Sequence, residues 1–262
     1  IPLAVRWTKS GQSPDVPAAG PDRPLTGSGL TAKLFAKGNL AAPLLERKDV
    51  DVHCVWDGTP DAKLPAGEYS IHWSGWLKAP AAGRYKFAVR TDGQAKFWLD
   101  DRPLIADTAN PQAEIELDTA PHAVHLEYDS RANHGYVILT WAPPVDKSQE
   151  QTVPAEAFFL DRASAEQATV DSSVLTPPPD TSPPSADASQ PIDLLRRVDI
   201  AQHKLVGNWW FRGKSLVCEN SRPLSPSLIK LPVTWPAEYE VRMLVERWNP
   251  ADSFVMGLVA DG

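Results

Sequence analysis

Hydrophobic and polar positions alternate with a period of two over most of the chain. Tyr85, Phe87 and Val89 alternate with Lys86, Ala88 and Arg90. Val124, Leu126 and Tyr128 alternate with Ala123, His125 and Glu127, and Val137, Leu139 and Trp141 with Ile138 and Thr140. Successive strand side chains point to opposite faces, so each run has one buried face and one wetter face. Turn signals separate the runs: Asp57-Gly58, Pro80 to Gly83, Asp92-Gly93 and Asn133 to Gly135. Short strands with almost no helical periodicity predict an antiparallel β-sandwich or barrel from Leu30 to about Asp161.

The flanks differ. Residues 10–28 are rich in Pro, Gly, Ser and Asp and read as an arm. Before it, Ile1 to Trp7 alternates like a strand and echoes Tyr136 to Trp141, which predicts the closing strand of an upstream unit. Residues 163–191 lack any aromatic and are crowded with proline towards their end, which predicts an extended spacer. Segments 208–219, 238–248 and 253–262 are strand-like again, and 192–200 fits one short helix or an irregular approach to the first of them. Three or four strands make a poor closed domain, so a truncated second β domain is expected. The expected organisation is all-β: a lead-in strand and arm over 1–28, an antiparallel β-sandwich over 29–162, a Pro-rich linker over 163–191 and a partial second β domain over 192–262.

Composition narrows the function. The 26 prolines in 262 residues exclude a helical bundle. Apolar residues at 42% and charged residues at 23% exclude wholesale disorder. No apolar run approaches the ~20 residues of a membrane span, and no signal-peptide pattern stands at the start. With isoleucine at position 1, the chain reads as cut from something longer. A net charge of −7 with scattered basic residues excludes a nucleic-acid partner. Cys54 and Cys218 have no histidines at ligand spacing and read as small buried hydrophobes.

Four ordered pieces resemble the anthrax protective-antigen fourteen-kilodalton (PA-fourteen) module, a β-sandwich of adhesins, glycosidases and toxins. GLTAKLF (29–35) is similar to its opening strand, and residues 67–105 to its central signature of Trp-x-Gly, Pro-x-x-Gly, an aromatic strand and a Ser/Thr-Asp turn. Residues 122–144 resemble its closing pair of strands, and TVPAEAFF (152–159) its final stub. Yeast flocculins of this family hold calcium in a sugar pocket with two consecutive aspartates joined by a cis peptide. Asp92 matches the first and Gly93 stands where the second would be, so half of that motif is missing. The loop supplying the other ligands matches 129–135. The resemblance therefore implies a carbohydrate site at Asp92, Gly93, Asp129, Asn133, His134 and Gly135, with Asp92 and Asn133 as calcium ligands where calcium binds. The C-terminal block is more faintly similar to concanavalin-like and laminin-G jelly rolls, through GNWWFRGKSLV and YEVRMLVER.

Other constellations have plainer readings. Trp73 and Trp141 stand at inward parity, whereas Trp98 faces the opposite way, towards a second face or the surface. One member of Trp209-Trp210 must point each way, and the outward one is a stacking candidate. Asp100-Asp101 fits a hairpin turn. His122 and His125, three apart on a strand, diverge; His125 and Glu127 share a face in the manner of a solvated strand edge. No nucleophile elbow, zinc-protease pattern or phosphate loop is present, and nothing singles out two of the 33 acidic residues as a glycosidase pair. The expected function is a non-catalytic carbohydrate- or surface-binding module of a larger secreted or cell-surface protein. A structural spacer with a protein partner, or an accessory part of a glycoside-active enzyme, is the alternative.

Overall fold

The computed structural model describes residues 3–6, 27–56, 58–132, 135–144, 149–175, 192–219, 227–232 and 243–247. In chain order the strands begin with β1 (Leu3–Arg6), β2 (Leu30–Ala36), β3 (Leu45–Asp49), β4 (His53–Trp56), β5 (Tyr69–Lys78) and β6 (Gly83–Thr91). They continue with β7 (Gln94–Leu99), β8 (Arg102–Ile105), β9 (Gln112–Leu117), β10 (Pro121–Asp129), β11 (Gly135–Ala142), β12 (Gln151–Thr152) and β13 (Phe158–Phe159). After a short helix α1 (Arg162–Gln167) and a single turn α2 (Ile200–His203) come β14 (Lys204–Val206), β15 (Asn208–Arg212), β16 (Ser215–Glu219), β17 (Leu228–Ile229) and β18 (Leu244–Arg247).

Two sheets face each other. One runs β3-β2-β5-β10-β7-β8, with β13 added to β5; the other carries β12-β11-β6-β9, with β4 on β11. The alternating residues that the pattern turned inward fill the space between them: Tyr85, Phe87, Val89, Leu126, Tyr128, Val137, Leu139 and Trp141 are all buried. Phe87 of one sheet meets Phe97 of the other at 5.5 Å between ring centroids, and Tyr85 meets Trp141 at 5.0 Å. A buried indole removes ~150–250 Å² from water, an upper bound of about 4–6 kcal/mol, so Trp73 and Trp141 anchor this core. Edge strands β9, β3 and β8 point exposed Glu114 and Glu116, Glu46 and Lys48, and Arg102 and Pro103 outward. Among the described residues no helix is long and apolar enough to cross a membrane.

Two expectations about the flanks are corrected. The lead-in strand is not the end of an upstream unit: β1 pairs antiparallel with both β16 and β18. The first part of 163–191 is not a spacer. Asp161 caps α1 by accepting from the Ser164 amide at 2.8 Å, and Ala165, Val170 and Leu175 are buried against the sandwich. Lys78 Nζ donates to the Ala165 and Ala168 carbonyls at 2.9 and 2.8 Å, which satisfies the helix's last acceptors. Residues 176–191, where the prolines cluster, lie outside the described residues. The C-terminal strands have a hydrophobic cluster of their own around Val198, Trp209 and Phe211, and they also extend a sandwich sheet. β15 lies parallel to β12, so the sheet runs on as β18-β1-β16-β15-β12-β11-β6-β9.

That continuity has a packing cause. Ile138 projects from β11 away from the sandwich core, and Trp210 and Val217 bury it completely. Arg90 binds Glu150 through both guanidinium Nη2 contacts, at 2.7 and 2.8 Å, and its Cζ lies 5.7 Å from the Trp210 ring. Arg212 Nη2 reaches Asp51 Oδ2 at 3.7 Å from the other side. Strand 238–248 is described only as β18, and 253–262 lies outside the described residues.

Candidate functional site

The expected site lies where β6 crosses to β7 and β10 crosses to β11, both passing from one sheet to the other at the same end. Asp92 Oδ1 accepts hydrogen bonds from the Tyr128 hydroxyl and the Tyr136 amide, each at 3.0 Å. Tyr128 stands in an aromatic cluster with Tyr69 and Trp56, at centroid distances of 6.0–6.1 Å. Burial, and then the Asp92 charge, push the Tyr69 and Tyr128 phenols well above their ordinary range. Both hydroxyls therefore stay protonated, and Tyr128 remains a donor to Asp92. Asp129 accepts from the Ser70 hydroxyl, while the buried Ser130 hydroxyl accepts from the Tyr69 amide at 2.8 Å. Asn133 and His134 lie outside the described residues, so of the six expected positions the structure brings together Asp92, Gly93, Asp129 and Gly135.

A β-carbon on Gly93 would lie 2.2 Å from the Asp129 carbonyl oxygen and 2.5 Å from the Tyr128 ring, so a second aspartate has no room. No peptide bond among the described residues is cis. Calcium takes six to eight oxygens, several anionic; here one aspartate is turned into the tyrosine cluster and the other is held by Ser70. Asp92 acts as the acceptor that ties two crossings together.

A second feature covers the outer face of the β5-β10-β7 sheet. Thr31, Ser74, His125 and Trp98 stand opposite one another across four strands, β2, β5, β10 and β7. Trp76 occupies the next outward position of β5, opposite Ala123. Together with Asp101 these side chains line an open cleft of about 440 Å³. One wall is the β7–β8 turn, where Asp100 and Asp101 both take left-handed backbone (φ 49° and 60°), the turn chemistry the sequence predicts. Asp100 holds that wall to β10 by accepting from the Ala123 amide and sharing a hydrogen bond with His122 Nδ1, at 2.8 and 2.7 Å. The opposite wall is the strap after β13, where Leu160 is exposed and Arg162 lies 5.5 Å over the Trp76 ring. Trp98 is half-buried, tilted against His125 at 5.2 Å.

Two partly buried indoles between hydroxyl and carboxylate groups offer their exposed edges and faces to an apolar ring face, with hydrogen-bonding groups at its polar rim. Sequence parity already placed Trp98 on this side. It missed Trp76, whose signal was its shared parity with Ser74 in the run from Tyr69 to Lys78. Two expectations are overturned. Neither Trp209 nor Trp210 is outward, because strands or loops cover both faces of β15 and leave them 5% and 0% exposed. His125 and Glu127 do not sit on an edge strand either, since β10 runs between β5 and β7.

Residues 27–153 match the family model of the PA14 domain. Among curated proteins, the Anti-sigma-I factor RsgI3 of Acetivibrio thermocellus is 22% identical over 170 residues, covering 59% of this chain and 26% of that protein. The chain thus spans about a quarter of the length of this curated relative. Among solved structures, an anti-sigma factor domain-containing protein from Clostridium clariflavum is 27% identical, with 55% of this chain and 51% of that one covered and a TM-score of 0.47. The Epithelial Adhesin 9 A domain from Candida glabrata, solved in complex with Galb1-3GlcNAc, is 15% identical over 53% of this chain and 93% of its own, with a TM-score of 0.41.

Proposed function

Starting from residues 27–153 as a PA14 domain, we propose that this chain is a non-catalytic carbohydrate-binding module of a secreted or surface protein, with its sugar seated in the cleft between Trp76 and Trp98. The observation that carries this reading is a pair of half-exposed indoles in an open cleft with Thr31, Ser74 and Asp101 at its rim. Sugars offer one apolar face of C–H groups and a rim of hydroxyls, and that is the complement of this lining. Asp92, Gly93, Asp129 and Gly135 serve as scaffold at the neighbouring end, since the two carboxylates accept from Tyr128, Tyr136 and Ser70.

Soluble oligosaccharides chosen from a glycan array, titrated calorimetrically into the chain, test it. Trp98→Ala is expected to weaken binding at least tenfold, about 1.4 kcal/mol, while thermal unfolding stays within a few degrees. Asp129→Ala is expected to leave affinity unchanged. The reverse pattern would move the sugar to the loop end, and silence on every glycan, with and without calcium, would sink the proposal. The match to an anti-sigma-I factor supports a second reading, in which the chain is one part of a regulatory protein.

A further inference from the structure

The outer face of the same sheet carries a cluster that borders the cleft, sharing His125 with its lining, and that the loop end does not use. His72 of β5 stands directly opposite Glu127 of β10, and His125 is two residues before Glu127 on the same face. One ligand atom from each of His72, His125 and Glu127 comes within 4.8 Å of the other two. His125 Nε2 already lies 3.1 Å from Glu127 Oε1. The two imidazoles are nearly perpendicular, 5.7 Å apart at their centroids. Each ring is set by an aromatic neighbour: Phe35 against His72 at 4.9 Å, and Trp98 against His125 at 5.2 Å. These residues belong to two central strands, so the backbone fixes their spacing far more firmly than a loop would.

We propose that His72, His125 and Glu127 form a site for a borderline divalent transition-metal ion, with zinc as the reference ion and solvent completing its coordination. Two imidazole nitrogens and one carboxylate are the donors such ions prefer, whereas calcium selects oxygen. Zinc binds nitrogen at about 2.0–2.1 Å, which sets tetrahedral ligand atoms about 3.3 Å apart. Closing from 4.8 Å requires side-chain rotation alone, and His125 and Glu127 are open enough to make it, with side chains 39% and 30% exposed. An ion pair between His125 and Glu127 would not account for the third ligand. His72 is drawn into the group across the strand register, opposite Glu127. Lys33 and Lys96 flank His72 and Glu127 on the neighbouring strands, and a bound cation must be held against them.

The site shares His125 with the cleft but needs no sugar, so zinc uptake and glycan binding are read separately. The full chain, freed of metal by a chelator, is titrated with zinc chloride by calorimetry and then with cobalt(II) by visible absorption. One equivalent of zinc and a tetrahedral cobalt spectrum are expected. His72→Ala and Glu127→Gln should each weaken zinc binding at least tenfold, while His122→Ala, whose imidazole faces Asp100 and Asp118, should not. Circular dichroism and the melting temperature without metal confirm that each variant is folded, and zinc should raise that temperature only where all three ligands remain. Absence of saturable uptake, or uptake that survives His72→Ala, overturns the proposal.

Discussion

Gly93 and Asp129 pack backbone against backbone, so closely that a β-carbon on Gly93 would meet the Asp129 carbonyl oxygen at 2.2 Å. The missing second aspartate is thus a steric requirement of this crossing, and a simple loss of a ligand is the lesser part of it. Gly93→Asp, which restores the paired aspartates, is expected to destabilise the fold by about 1–3 kcal/mol or more, because rigid backbone must move. It should confer no calcium-dependent rise in melting temperature. Denaturant melts with calcium and with a chelator check both parts.

Asp92 ties β6 to β11 by accepting from the Tyr128 hydroxyl and the Tyr136 amide. Asp92→Ala leaves two partly buried donors without that acceptor and should cost about 1–3 kcal/mol. Asp92→Asn keeps an acceptor oxygen in place and should cost clearly less. Equal losses in chemical denaturation would show that the acceptor is not what matters there.

His53 shares a hydrogen bond with Thr152 at 3.1 Å, and burial first, then Arg212, lowers its pKa from 6.5 to about 3. A base depressed in the folded state binds its proton more readily when unfolded. Its stabilisation is therefore complete above about pH 6.5 and is lost as the pH falls from there towards 3. By pH 4.5 the loss should reach about 3 kcal/mol. His53→Gln should flatten that acid limb, as equilibrium melts at pH 7 and 4.5 will show.

Trp210 covers Ile138 and couples the C-terminal strands to the sandwich. Trp210→Ala should cost about 3–5 kcal/mol at this junction. Calorimetry is expected to split one unfolding transition into two, with the sandwich melting second. A single transition at the original temperature would mean that the junction is held elsewhere.

The inward faces of β6, β10 and β11 were legible because alternation reports which side of a strand is apolar. Alternation does not report what covers the other side. Trp209 and Trp210 do point to opposite faces, as parity requires, yet both are buried because β15 is covered on each side. The echo between Ile1 to Trp7 and Tyr136 to Trp141 revealed a strand but not its partners, since pairing with β16 and β18 spans most of the chain. At the candidate sites the same limit applied. Asp92 and Gly93 could be placed on a turn, but the tyrosine that engages Asp92 and the carbonyl that excludes a side chain at Gly93 come from β10 and its end. His125 and Glu127 were seen to share a face; His72 joins them only through register.

Along the edge strands β9, β3 and β8, glutamates, a lysine, an arginine and a proline meet an approaching strand first, so these three edges resist zipping onto another copy. Copies crowded on one surface would therefore stay unpaired along these three edges. Their broad outer faces would stay free to act in parallel, so that weak single contacts add up to firm attachment.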